Sequence, residues 1–596
     1  MKEFFKYTLA TICGIILLGI VFTLLSLMII VGMVANSNQE TTAKENSVFV
    51  LKLNGVIQER DEEDSPLSEL LGEADMELMG LDDILASIKK AQDEENIKGI
   101  YIEGGISSFD APATAQQIRD ALKNFRKSGK WIVAYADQYM QASYYVASVA
   151  DKVYINKTGM LDFKGLGGQS EYLKGLYDKL GVKYQVAKVG KYKSYVERNT
   201  LTGMSDYDRE QRTAYTQGIW QHWLSDIAES RKVTAAQLDQ LASDSIIGLA
   251  DAKDYVTAKL VDKLMYPDEV SKEIKSLLKI DADDDINQLT LADMKNLPSK
   301  DKKEGDKVAV YYAYGGIIDN ETSGIFSSEH SIVGTKTVDD LNKLAKDDDV
   351  KAVVLRVNSG GGSATASEQI WRAIKQLKAK KPVVVSMGGA AASGGYMISA
   401  AADYIVAEPT TITGSIGIFG LIPNFSGLVT DKLGVTFDGV KTNKYTDYEE
   451  NLVLGKDNSE EMRYMQGYVD RGYITFLDIV ADGRKMKREQ VDSIAQGRVW
   501  LAKDALTIKL VDKLGSLDDA VKKAAELAKV ESYYTKAYPE SAGWFEQLLD
   551  KSDKKSYLDG ELRQVLGDLY QPFVELRRDM QGSRLQAKFP YQLKLQ

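Results

Sequence analysis

The alternation of apolar and polar positions after residue 46 spells the same series of elements twice. An apolar stretch suited to a strand, SVFVLKLNGVI (47–57), has a counterpart in KVAVYYAYGGII (307–318). Each is followed by a helical pattern, LDDILASIKKA or VDDLNKLAK, with apolar residues three or four apart. A short apolar run comes next (KGIYIEGG; KAVVLRVNSGGG), then another helix, then a second such run (WIVAYAD; PVVVSMGG). Short buried strands alternating with helices predict a mostly parallel sheet covered by helices, an α/β fold. Literal repeats fit a duplication: LVDKL at 260–264 and 510–514, and DKLGV at 178–182 and 431–435.

This pattern divides the chain into five parts. Residues 1–46 are an N-terminal segment, 47–268 the first copy, and 307–540 the second copy. Residues 269–306 are charged, contain Pro298 and end in KDKKEGD, so they are expected to be a connector. Residues 541–596 lie outside the repeat and are expected to be a short helical tail.

Between Tyr7 and Ala35 the chain carries no charge. About 20 apolar residues in a helix cross a bilayer. A cleaved signal peptide has a shorter apolar core of about 7–15 residues. A retained, single transmembrane helix is therefore expected, with 36–46 as a polar tether. Lys2 and Lys6 precede it, which puts the N-terminus in the cytoplasm. The remaining chain would then lie on the periplasmic side of a bacterial inner membrane.

Composition narrows the chemistry. The net charge of −11 argues against a general nucleic-acid binder. Cys13 is the only cysteine, so no intramolecular disulfide can form. His222 and His330 are the only histidines, which leaves little for a histidine base or a multi-histidine metal site. His222, in IWQHWL, reads as an ordinary helix residue. The acidic run 281–285 lacks the spacing of a calcium loop.

The second copy contains two glycine-rich turns that the first lacks. One is Asn358-Ser359-Gly360-Gly361-Gly362-Ser363 after VVLRV. The other is Gly388-Gly389-Ala390-Ala391-Ala392-Ser393-Gly394-Gly395-Tyr396 after VVVSM. Small neighbours leave Ser393 uncrowded, and N–H groups of Gly394 and Gly361 are candidate oxyanion donors, a device worth about 10²–10³ in rate per donor. A serine nucleophile needs a base. With histidine scarce, a desolvated lysine is the candidate. Aligning the copies on DKLGV sets Lys193 opposite Thr446, while Ser393 falls opposite Gln141 or Ala142, with Ser143 close by. Each copy keeps half of a site.

At these residues the chain resembles the signal peptide peptidase A family in its long, duplicated bacterial form. The matching stretches are Val189-Gly-Lys-Tyr-Lys-Ser194, SMGGAAASGGY (386–396) and TGSIGIFG (413–420). The resemblance implies tandem Clp protease/crotonase-like domains built of repeated ββα units. It implies Lys193 as base, Ser393 as nucleophile and Ser415 as the residue that positions the lysine. Gly360 stands where the family usually has proline. The resemblance further implies a homotetramer, no cofactor, and substrates that are cleaved signal peptides and other short apolar peptides. Two other readings fit parts of the sequence: an acyl-thioester enzyme of the crotonase type, and a non-catalytic membrane scaffold.

Overall fold

The two apolar series fold as two parallel sheets. In the first copy, strands Ser47–Gln58, Ile97–Phe109, Trp131–Tyr139 and Lys152–Leu161 pair side by side in that order. In the second copy, Asp306–Tyr314, Val350–Ser359, Val383–Ala392 and Tyr404–Ala407 do the same. The computed structural model describes residues 40–60, 78–245, 247–300, 304–320, 330–455, 459–540 and 586–588, with isolated positions before residue 40.

Both faces of each sheet are covered, which is why its strands read as continuous apolar runs rather than alternating ones. In the first copy, Phe49, Leu51 and Ile100 face a core shared with helices Leu81–Asp93 and Pro112–Arg126. Val48, Val133 and Tyr154 face the other way, onto Val270, Ile274 and Leu278 of helix Pro267–Leu278. The second copy repeats this arrangement. There Val310, Val354 and Val384 meet Ala520, Val521 and Ala524 of helix Leu517–Ala528.

The expected connector is therefore largely structure. Helix Pro267–Leu278 roofs the first sheet, Asn287–Leu289 adds to its first strand in parallel, and Met294 of helix Leu291–Asn296 enters the core. In these two helices Val270, Ile274, Leu278 and Met294 are buried, a narrow apolar stripe beside charged outer faces. The expected transmembrane run lies outside the described residues, apart from a few positions. Among the described residues no helix is long and apolar enough to cross a membrane. Of the tail, residues 586–588 are described, and they form a strand rather than a helix.

The literal repeats have a structural reason. Asp262 and Asp512, each in an LVDKL, pair with Arg231 and Arg484 near the ends of the two long helices. Each carboxylate also accepts an N–H from the second residue of a sheet strand, Val153 and Ile405. The leucine carbonyls of the same repeats, Leu260 and Leu510, accept the hydroxyls of Tyr144 and Tyr396.

The copies are joined through buried polar groups. Arg356, on the central strand of the second copy, pairs with Glu59 and donates to Gln117 at 2.9 Å, both from the first copy. Asn358 donates to Glu59 at 3.1 Å and to Asp110 at 2.9 Å, and accepts from the N–H of Ala390. A third sheet mixes the copies outright. Lys183–Lys188 of the first pairs antiparallel with Phe419–Asn424 of the second, from Lys188 opposite Phe419 to Lys183 opposite Asn424. That pairing delivers the chain that follows, including Lys193, to the second copy.

Candidate active site

Ser393 stands where strand Val383–Ala392 breaks into helix Gly394–Ser399. Its backbone is held at φ 56° and ψ −115°, a conformation strained for any residue with a side chain. The hydrogen bond from its N–H to the carbonyl of Gly414, 2.8 Å, helps fix that turn. A Cβ on Gly395 would lie 2.5 Å from the carbonyl oxygen of Ser359, so the close approach of the two glycine-rich turns requires glycine there. The N–H of Gly394, in the first turn of the helix, has no partner within that helix.

Lys193 reaches this turn from the first copy. Its segment is pinned by the N–H of Tyr192, which donates to the carbonyl of Gln496 at 3.0 Å. Gly497, at φ 76°, packs against it, and a Cβ there would come within 2.7 Å of the Lys193 nitrogen. The buried ammonium nitrogen Nζ lies 2.8 Å from Ser393 Oγ, 3.0 Å from Ser415 Oγ and 3.1 Å from the Ser415 carbonyl oxygen. Burial lowers its pKa from 10.5 to about 7. Ser415 is itself held at φ 49°, with its N–H bonded to the carbonyl of Arg498 at 2.7 Å.

Chemically, a neutral amine has two N–H donors and one lone pair. The Ser415 carbonyl can only accept, and its hydroxyl can accept as well. That leaves the lone pair for the hydroxyl hydrogen of Ser393, the arrangement a general base needs. The structure thus brings Lys193, Ser393 and Ser415 together. Gly394 adjoins them, and a Cβ on it would lie 3.2 Å from the Cα of Gly361. The Gly361 N–H is engaged, donating to Ser359 Oγ at 3.1 Å. Sequence reasoning passed over Gly497 and the bridging side chain of Asn358. Nothing in the repeat comparison marks the former, while the latter stood inside a motif noted for its glycines.

The first copy has no equivalent site. With Tyr144 and Tyr396 as matched positions, Ser393 falls opposite Gln141. The Gln141 amide closes the spot: its oxygen accepts from the N–H groups of Lys164 and Gly165, and its nitrogen donates to the Gly165 carbonyl. Ser143 is buried against Ser107 at 2.6 Å. Thr446, the counterpart of Lys193, is exposed. His222 lies 3.6 Å from Asp226 on the same helix. Among the described residues no cluster of His, Cys, Asp or Glu could hold a metal ion.

Comparison with known proteins agrees with this duplicated layout. The model of peptidase family S49 matches twice, over residues 124–281 and 375–531, and the Clp protease model matches 309–411. Protease 4 of Salmonella typhi is 36% identical over 90% of this chain and 86% of its own length. Protease 4 of Haemophilus influenzae is 34% identical over 91% and 90%. A chloroplastic serine protease SPPA of Arabidopsis thaliana is 28% identical over 76% of this chain and 66% of its own.

Proposed function

The chain belongs to peptidase family S49 and is a serine protease, and on that premise we propose that it is a membrane-anchored endopeptidase working through a Ser393–Lys193 dyad. The observation that carries this reading is the 2.8 Å approach of a buried, charge-depleted lysine amine to the hydroxyl of a serine whose backbone is strained. In the proposed cycle neutral Lys193 takes the Ser393 proton as Oγ attacks the scissile carbonyl. Ser415 holds the amine through its carbonyl and hydroxyl. The N–H of Gly394 meets the oxyanion, joined by that of Gly361 once Ser359 releases it. Lys193 then gives its proton to the leaving amine, and water cleaves the acyl-enzyme with the lysine again as base.

The proposed substrates are cleaved signal peptides and other short apolar peptides. The small side chains around Ser393 and the aromatic ring of Phe419, 5.9 Å from Lys193 Nζ, suit such chains. The charge-free run 7–35 supports an inner-membrane anchor with the catalytic part on the periplasmic side. The family resemblance supports a homotetramer.

The test is hydrolysis of a fluorogenic apolar peptide. Ser393→Ala and Lys193→Ala should each lower kcat/KM by about 10⁴-fold or more, with circular dichroism unchanged. Turnover close to wild type in either variant sinks the dyad.

A further inference from the structure

One buried amide grips the chain on both sides of Lys193. Gln211, in helix Asp206–Arg231, is 1% exposed. Its Nε2 donates to the Tyr192 carbonyl at 3.1 Å and to Ser194 Oγ at 3.0 Å, with Asp208 Oδ1 also in reach at 3.1 Å. Tyr192 and Ser194 flank Lys193 in the chain. Ser194 Oγ in turn donates to Asp208 Oδ1 at 2.6 Å. The Gln211 oxygen faces the second copy, where it accepts the N–H of Val499 at 3.1 Å.

Val499 leads straight to the serines. Strand Val499–Leu501 pairs antiparallel with Ile412–Gly414, Val499 opposite Gly414. The Gly414 carbonyl accepts the N–H of Ser393 at 2.8 Å, and Ser415 is the next residue. Gln211 thus spans from the flanks of the lysine to the strand pair that holds both serines the lysine meets. The second copy has no amide to match it. With Arg231 and Arg484 as matched positions, Gln211 falls opposite Tyr464, which is 57% exposed. The contact belongs to the copy that supplies the lysine.

We propose that Gln211 is the positioning residue of the dyad, tying both flanks of Lys193 to strand Val499–Leu501 so that Nζ stays in register with Ser393 and Ser415. This role rests on the reading of Lys193 as base. The position needs a neutral group with donors and an acceptor together, which an amide supplies and an ionised carboxylate or an ammonium does not. A fully satisfied buried network of this kind specifies one geometry. Nζ itself faces Ser393, Ser415 and the Phe419 ring, none of them charged. Its stem is long and flexible, and a general base works only within hydrogen-bond reach of its proton. Freeing the flanks lets Nζ drift from Ser393 and lets water approach it, which costs rate and restores part of the lost basicity.

The experiment is steady-state hydrolysis of a fluorogenic apolar peptide as pH is varied, with Gln211→Met, Ser194→Ala and Tyr145→Phe beside the wild type. Gln211→Met keeps the length of the side chain and removes its hydrogen bonds. It should lower kcat about 10–100-fold with KM within about twofold. The pH midpoint of kcat should rise by at least about one unit above that of the wild type. Ser194→Ala removes one of the contacts and should move both readouts the same way, with kcat down about three- to tenfold. Tyr145→Phe breaks a 2.5 Å hydrogen bond to Asp226, further along the same helix, and is the stability control. It should leave kcat within about twofold and the midpoint in place. Equal kcat and midpoint in Gln211→Met and wild type overturn the proposal. So does a loss that Tyr145→Phe matches, or one accounted for by fewer active sites in a fluorophosphonate titration, since Gln211 would then only hold the fold. If Gln211→Met does not fold, Ser194→Ala decides by the same two readouts. Failure of the dyad is separate, and shows as hydrolysis retained by Lys193→Ala.

Discussion

Lys193 is answered by no charge: Nζ meets two serine oxygens and one carbonyl, and burial alone displaces its pKa, to about 7. This has a consequence for stability. Between about 7 and 10.5 the unfolded chain carries a proton on this lysine that the folded chain does not. Stability must rise with pH across that window, and the penalty is greatest at and below pH 7. Lys193→Met removes the penalty together with the hydrogen bonds. Its denaturation free energy should exceed that of wild type by about 2–4 kcal/mol near pH 7, with the gap closing toward pH 10. Chemical denaturation across pH checks it; a gap that does not change with pH contradicts a neutral buried lysine. The lysine and serine were legible in the sequence because histidine is nearly absent and each copy lacks what the other has. Gly497 was not, because its role is to leave space beside a lysine that arrives from the other copy. The engagement of the Gly361 N–H by Ser359 was not legible either, since it depends on how a three-glycine turn closes.

At the level of elements, the duplication is maintained by paired polar contacts. Asp512 answers Arg484 and also holds the N–H of Ile405, as Asp262 answers Arg231 and holds that of Val153. Asp512→Ala leaves a mostly buried guanidinium and a strand N–H without their partner. It should destabilise the second copy by about 2–3 kcal/mol, and Asp262→Ala the first by a similar amount. Urea titration followed by tryptophan fluorescence measures both; a loss below about 0.5 kcal/mol would mark these repeats as surface pairs. The sheets were readable from their continuous apolar runs, since burial on both faces leaves little room for polar residues. The helix Pro267–Leu278, most of which falls in the expected connector 269–306, gave little sequence signal because its three buried apolar residues are outnumbered by its charges. The strand Gln586–Lys588 had no signal, because its pairing partners are backbone edges remote in the chain.

Across the whole molecule, two similar sheets have become unequal partners. The first copy fills the position equivalent to Ser393 with Gln141 and sends strand Lys183–Lys188 across to the second. The second supplies the serine, the glycine turns and the carbonyl that holds the lysine. Buried pairs such as Arg356 with Glu59 hold the copies in the register that this exchange needs. The α/β fold, and the placing of Lys193 and Ser393 in different copies, were thus readable from the repeat, while the interlocking sheet between the copies was not, because strand pairing across copies leaves no periodic signature. The central claim is that a lysine of one copy activates a serine of the other. It is tested most directly by the rate at which a fluorophosphonate labels Ser393 as pH is varied. Labelling of the wild type should rise with pH with a midpoint near 7, the value to which burial lowers Lys193, and in Lys193→Met it should be slow and without that midpoint. A wild-type midpoint near 10, or equal labelling of the two proteins at every pH, would contradict the account.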